Sequence, residues 1–148
     1  MSHKNLYRNC EMNASRIFID TAPFIYLLEN HEPFSSKTRK IINDMFVSGC
    51  QFFTSTLTFV EFCVGPYRSG NLNKISDFEN FLKVSETKVI PLSEEIAKFS
   101  ASLRVKYDGI KSMDAIQLAT ATNSNCVLFL TNDKQLRQVK EISCKLIE

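Results

Sequence analysis

Short apolar runs bounded by polar or turn residues alternate along this chain with longer stretches whose apolar positions recur every three or four residues. Arg16 to Asp20 reads as a buried strand, and Pro23 suits the first turn of a helix carrying Phe24, Ile25, Leu27 and Leu28 that stops near Pro33. Ser35 or Ser36 is placed to cap a second helix through Ile41, Ile42, Met45 and Phe46, ended by Gly49. Gln51 to Thr54 predicts a strand. Ser55 or Thr56 then caps a helix through Glu61 that ends near Gly65-Pro66. Asn71 to Val84 shows helical spacing, and Lys88 to Ile90 a third strand. Ser93, with Glu94 and Glu95 in the first turn, opens a helix through about Tyr107. After the Asp108-Gly109 break a helix runs from Ser112 to about Asn123, and Cys126 to Leu130 is a fourth strand. Asn132 to Val139 is a short helix and Cys144 to Ile147 a last strand. Strands alternating with helices predict an α/β fold, a parallel sheet with helices on both faces. Residues 1–15 lack sustained periodicity and are expected to form a poorly ordered N-terminal extension, leaving 16–148 as a single domain.

Composition narrows the function classes. The chain has 148 residues, 44% of them hydrophobic, with only four glycines and four prolines, which fits one compact domain. A net charge of +2 leaves any nucleic-acid surface to local clusters of Lys and Arg. The five cysteines include no Cys-x-x-Cys pair, so free thiols in a reducing cytoplasm are expected. No apolar run reaches the ~18 residues of a membrane span. No phosphate-binding Gly-x-x-x-x-Gly-Lys-Ser/Thr loop and no Gly-x-Ser-x-Gly nucleophile motif occurs, and the two histidines lie away from any motif.

What remains is a set of acids embedded in apolar segments. Asp20 ends the first strand, Glu61 follows Phe59-Val60, Asp114 precedes Ala115-Ile116, and Asp133 follows the fourth strand. In open parallel sheets ligands bind beyond the carboxyl ends of the strands, so Asp20, Glu61 and Asp133 can converge there; Asp114 must reach the same edge from its helix start. Each acid alone has a structural explanation as a helix cap, a helix-dipole partner or a solvent-reaching side chain. Together they form an oxygen-rich set without histidine, suited to Mg²⁺ or Mn²⁺.

The segments Ile19-Asp20-Thr21, Ser55-Thr-Leu-Thr-Phe-Val-Glu61, Met113-Asp114-Ala-Ile-Gln-Leu-Ala-Thr-Ala121 and Phe129-Leu-Thr-Asn-Asp133 resemble, in order and spacing, the PIN-domain ribonucleases, especially the VapC-type toxins. The resemblance implies a three-layer α/β/α fold with a short, mostly parallel sheet and metal-dependent RNA cleavage leaving 5′-phosphate and 3′-hydroxyl ends. It implies that Asp20, Glu61, Asp114 and Asp133 are the catalytic and metal-binding set. Thr21, Thr131 and Asn132 would support it, and an antitoxin and a second copy of the chain in a homodimer would be its partners. Arg104, Lys111 and Lys134, close in sequence to the acids, are the expected RNA-binding cations. Two other readings stay open: a catalytically silent PIN-like binding module, and a phosphoaspartyl phosphatase or receiver-like domain. Against the last, Ala22 stands where a phosphatase of that kind needs a second Asp.

Overall fold

The computed structural model describes residues 14–148; the expected extension at 1–15 therefore lies almost wholly outside the described residues. Five strands, β1 (Arg16–Ile19), β2 (Gln51–Ser55), β3 (Lys88–Ile90), β4 (Leu128–Thr131) and β5 (Ser143–Leu146), form one sheet in the order β3-β2-β1-β4-β5. Every pairing is parallel. Six α-helices connect them: α1 (Thr21–Leu28), α2 (Phe34–Val47), α3 (Thr56–Ser69), α4 (Asn73–Val84), α5 (Glu94–Lys106) and α6 (Ser112–Asn123). A short 3-10 helix, Lys134–Gln138, leads to β5.

Successive side chains of a strand point to opposite faces, and the core divides accordingly. Ile17, Ile19, Phe52, Leu128 and Leu130 join Phe24, Ile42, Met45, Phe62, Phe78 and Leu82 from α1–α4. Phe18, Phe53 and Phe129 face the other way, against Ile96 and Leu103 of α5 and Ala115, Leu118 and Ala119 of α6. The result is three layers. It explains why the central strands are apolar throughout rather than alternating, since both faces are covered.

Local chemistry sets the helix ends. The Ser93 hydroxyl accepts from the Ile96 amide at 3.1 Å, and Glu94 and Glu95 fill the first turn of α5. Removing that cap by Ser93→Ala is expected to cost about 1 kcal/mol, which a thermal melt should register as a drop of about 2–4 °C. Ser55 caps α3 by accepting from the Leu57 amide at 3.1 Å.

Besides shifts of one or two residues at other ends, four features differ from expectation. α3 does not stop at Gly65-Pro66 but continues to Ser69, with Pro66 inside it and Gly70 closing it at φ 69°. An interior proline loses its own N–H bond and crowds the carbonyl four residues back while holding a helical φ, and here Pro66 is buried on the inward face with Thr58 and Phe62. Neither Ser35 nor Ser36 caps α2, whose N-cap is Pro33. Ser35 is buried instead, accepting from the His31 amide and donating to the Glu29 carbonyl, both at 2.8 Å. β4 starts at Leu128 rather than Cys126, because Asn125 takes a left-handed φ of 58° and prolongs the turn out of α6. The expected Asn132–Val139 helix is a 3-10 turn begun by Asp133. Among the described residues, no helix is long and apolar enough to cross a membrane.

Candidate active site

β1, the central strand, delivers Asp20 to the carboxyl edge of the sheet, where its amide donates to the Leu130 carbonyl at 3.0 Å. Asp20 occupies the N-cap position of α1, but its side chain makes no cap bond there. It turns to β4, where Thr131 Oγ1 donates to its Oδ2 at 2.9 Å. The same Thr131 oxygen accepts from the Asp133 amide at 3.2 Å. Thr131 thus ties the Asp20 carboxylate to the backbone of Asp133.

Glu61 lies in the second turn of α3, exposed, with its Oε1 accepting from Thr21 Oγ1 at 2.8 Å. Asp114, half-buried, lies in the first turn of α6. Asp133 caps the 3-10 helix through the Gln135 amide at 3.0 Å. Asn132 donates to Tyr26 Oη at 3.1 Å, while its buried Oδ1 has no hydrogen-bond partner.

Asp20 and Asp114 both feel burial and acidic neighbours. Burial pushes the Asp20 carboxyl up to about 6; the Thr21 amide and Thr131 hydroxyl oppose that, and the charges of Asp114 and Glu61 add to it. Burial likewise raises Asp114, with Asp133 and Glu61 adding repulsion and Lys111 opposing it. Asp20 therefore lies in the field of Asp114 and Glu61, and Asp114 in that of Asp133 and Glu61, with Lys111 opposing at Asp114. Nearby Cys144 is pushed up to about 12 by burial and by the charges of Asp20 and Asp133, so it stays a thiol.

Among the described residues, no three His, Cys, Asp or Glu groups are gathered into a ready-made metal cage. The donor set is nevertheless all oxygen and open on the Glu61 side. That suits a hard cation which keeps several of its waters and takes only one or two carboxylates directly.

The three basic residues named from sequence are all exposed. Arg104 and Lys111 line one surface hollow at the turn between α5 and α6. Lys134 pairs with Glu148 at 3.0 Å, an exposed contact worth little to stability.

Sequence reasoning missed a buried polar group beneath the acids. Gln117 Oε1 accepts from the Ser55 hydroxyl, and Gln117 Nε2 donates to Thr58 Oγ1 at 2.8 Å. Thr58 and Thr54 share a hydrogen bond of 2.8 Å, and Thr54 donates to the Ile19 carbonyl at 2.9 Å. The available signal was Gln117 itself, a lone long polar side chain between Ile116 and Leu118 on a helix of otherwise small or apolar inward positions.

Comparison with known proteins identifies the fold. The structure resembles a toxin–antitoxin complex from Klebsiella pneumoniae at 22% identity and a TM-score of 0.68, covering 89% of this chain and 98% of that one. It also resembles VapBC2 from Rickettsia felis, solved with a DNA fragment from its promoter, at 15% identity and a TM-score of 0.73 over 88% and 98% of the two chains. VapC20 from Mycobacterium tuberculosis, described as a sarcin-ricin loop cleaving toxin, aligns at 12% identity and a TM-score of 0.63 over 76% and 86%. No curated protein sequence gives a significant match. These likenesses establish the fold. The family model of the PIN domain matches residues 17–142, from the first strand to the approach to the last, and the chain belongs to that family.

Proposed function

We propose that this protein is a Mg²⁺- or Mn²⁺-dependent endoribonuclease and the toxin of a toxin–antitoxin pair. One observation carries the reading: in a PIN-domain chain, Asp20 and Asp114, from separate elements, are both raised by burial and by acidic neighbours, Glu61 acting on both and Asp133 on Asp114. Mutually repelling, partly desolvated carboxylates call for a bound divalent ion.

In this reading Asp20, Asp114 and Asp133 supply the ligand oxygens, and Glu61, oriented by Thr21, holds the ion or its waters. When bound, the ion would activate water and offset charge on the phosphodiester in flight. The chain's own part is geometric. Thr131 fixes the Asp20 carboxylate against the Asp133 loop, and burial beneath Asp20 keeps bulk water off one side of it. Arg104 and Lys111 offer a basic approach for RNA, and Lys134, next to Asp133 in sequence, a further cation. The proposal extends to an antitoxin partner, in keeping with the toxin–antitoxin complexes it resembles, and to a cytoplasmic homodimer.

Purified protein incubated with single-stranded and structured RNA in Mn²⁺ is expected to give cleavage products ending in 5′-phosphate. Excess EDTA and Asp114→Asn should each abolish them. Cleavage that persists fully in EDTA overturns metal dependence. Calorimetric Mn²⁺ binding without cleavage would instead favour a silent binding module.

A further inference from the structure

The buried group around Gln117 lies outside the acid set, yet it touches the support of three of its members. Gln117 is three residues beyond Asp114 on α6, one turn deeper, and is 1% exposed. Its Oε1 meets Ser55, the residue whose side chain caps α3. Its Nε2 meets Thr58, one turn before Glu61 on the same helix. From Thr58 the bonds continue through Thr54 to the carbonyl of Ile19, the residue before Asp20. Side chains 59 and 62 positions apart in sequence are thereby joined in one continuous run from α6, across the start of α3, to the end of β1.

Apolar contacts between a helix and a sheet tolerate sliding; directional bonds at both ends of one amide do not. Both polar ends of Gln117 are used, so a shift or rotation of α6 against α3 would break a bond in a water-free place, where the lost bond is costly. We propose that Gln117 is the positioning residue of this site, setting the distance between Asp114 on α6 and the Asp20–Glu61 pair. It touches neither ion nor RNA, and acts through Ser55 and Thr58. The inference rests on the metal-nuclease reading above.

The test is Mn²⁺ affinity by calorimetry alongside RNA-cleavage kinetics and metal-free melting. Gln117→Met keeps the length and apolar bulk but no hydrogen bonds. It is expected to weaken Mn²⁺ binding about tenfold or more and to lower kcat while leaving KM for RNA near its native value. Thr58→Val should act in the same direction and Thr58→Ser, which keeps the hydroxyl, should recover the affinity. If Gln117→Met does not fold, the Thr58 pair decides. Lower melting temperatures with native Mn²⁺ affinity in both Gln117→Met and Thr58→Val would show a purely structural role and overturn the inference alone. Native protein that takes up no Mn²⁺ overturns the nuclease reading, and this inference with it.

Discussion

Asp20→Asn is expected to abolish RNA cleavage and, in the same protein, to raise the melting temperature of the metal-free form. The two effects have one cause. At neutral pH the Asp20 carboxylate is ionised in a buried place where its proton affinity has risen to about 6 from 3.8. Holding that charge costs the fold on the order of 3 kcal/mol relative to an unstrained carboxyl. Asparagine keeps the shape and an oxygen for the Thr131 hydroxyl, but carries no charge to desolvate and none to repel Asp114 and Glu61. It also cannot replace a carboxylate as a ligand. Loss of activity should exceed the roughly 100-fold that marks removal of an outer partner of a metal site. Melting in EDTA should rise by several degrees. A variant that loses activity and stability together would mean that Asp20 is a structural cap, not a strained functional group.

The second large effect is an inverted pH dependence of the metal-free protein. A carboxyl raised by folding contributes stability that is fully present below its unfolded value of about 3.8 and is lost as pH rises through about 6. Asp114, raised by burial and by its acidic neighbours, works in the same direction. Glu29, held down by His31 and Lys74, and Glu141, held down by Lys106 and Tyr107 against its burial, act oppositely, but only below 4.5. Between pH 5 and 7.5 the raised pair is therefore decisive. About half of the Asp20 contribution falls in that window, so metal-free protein should melt higher at pH 5 than at pH 7.5. Asp20→Asn should flatten the trend, and saturating Mn²⁺ should reverse it. Melting that is already flat in the native metal-free protein would contradict the burial argument.

The strands were readable because apolar residues at both parities, such as Ile17-Phe18-Ile19, leave no solvent face. The caps at Ser55 and Ser93 were readable because capping is a local bond. Ser35 has the same chemistry and was misread, since its partners come from the turn before it and burial there is a tertiary fact. Pro66 shows the converse: a strong local stop signal yields where the proline itself is buried on the inward face of the helix. The acids were visible one by one against their apolar neighbours. Their shared supports were not. The Thr131–Asp20 bond spans 111 positions and the Gln117–Thr58 bond 59, and no local pattern encodes a hydroxyl that bonds across such distances.

The location of Asp20 on the middle strand also decides how the site fails. β1 has a bonded neighbour on each side, and the Asp20 amide itself is held by Leu130. Such amides exchange with solvent only when the whole fold opens, whereas the edge strands β3 and β5 belong to the more readily fraying part. The first acid is thus anchored in the last region to let go, so a molecule loosened at its sheet edges still holds Asp20 in place.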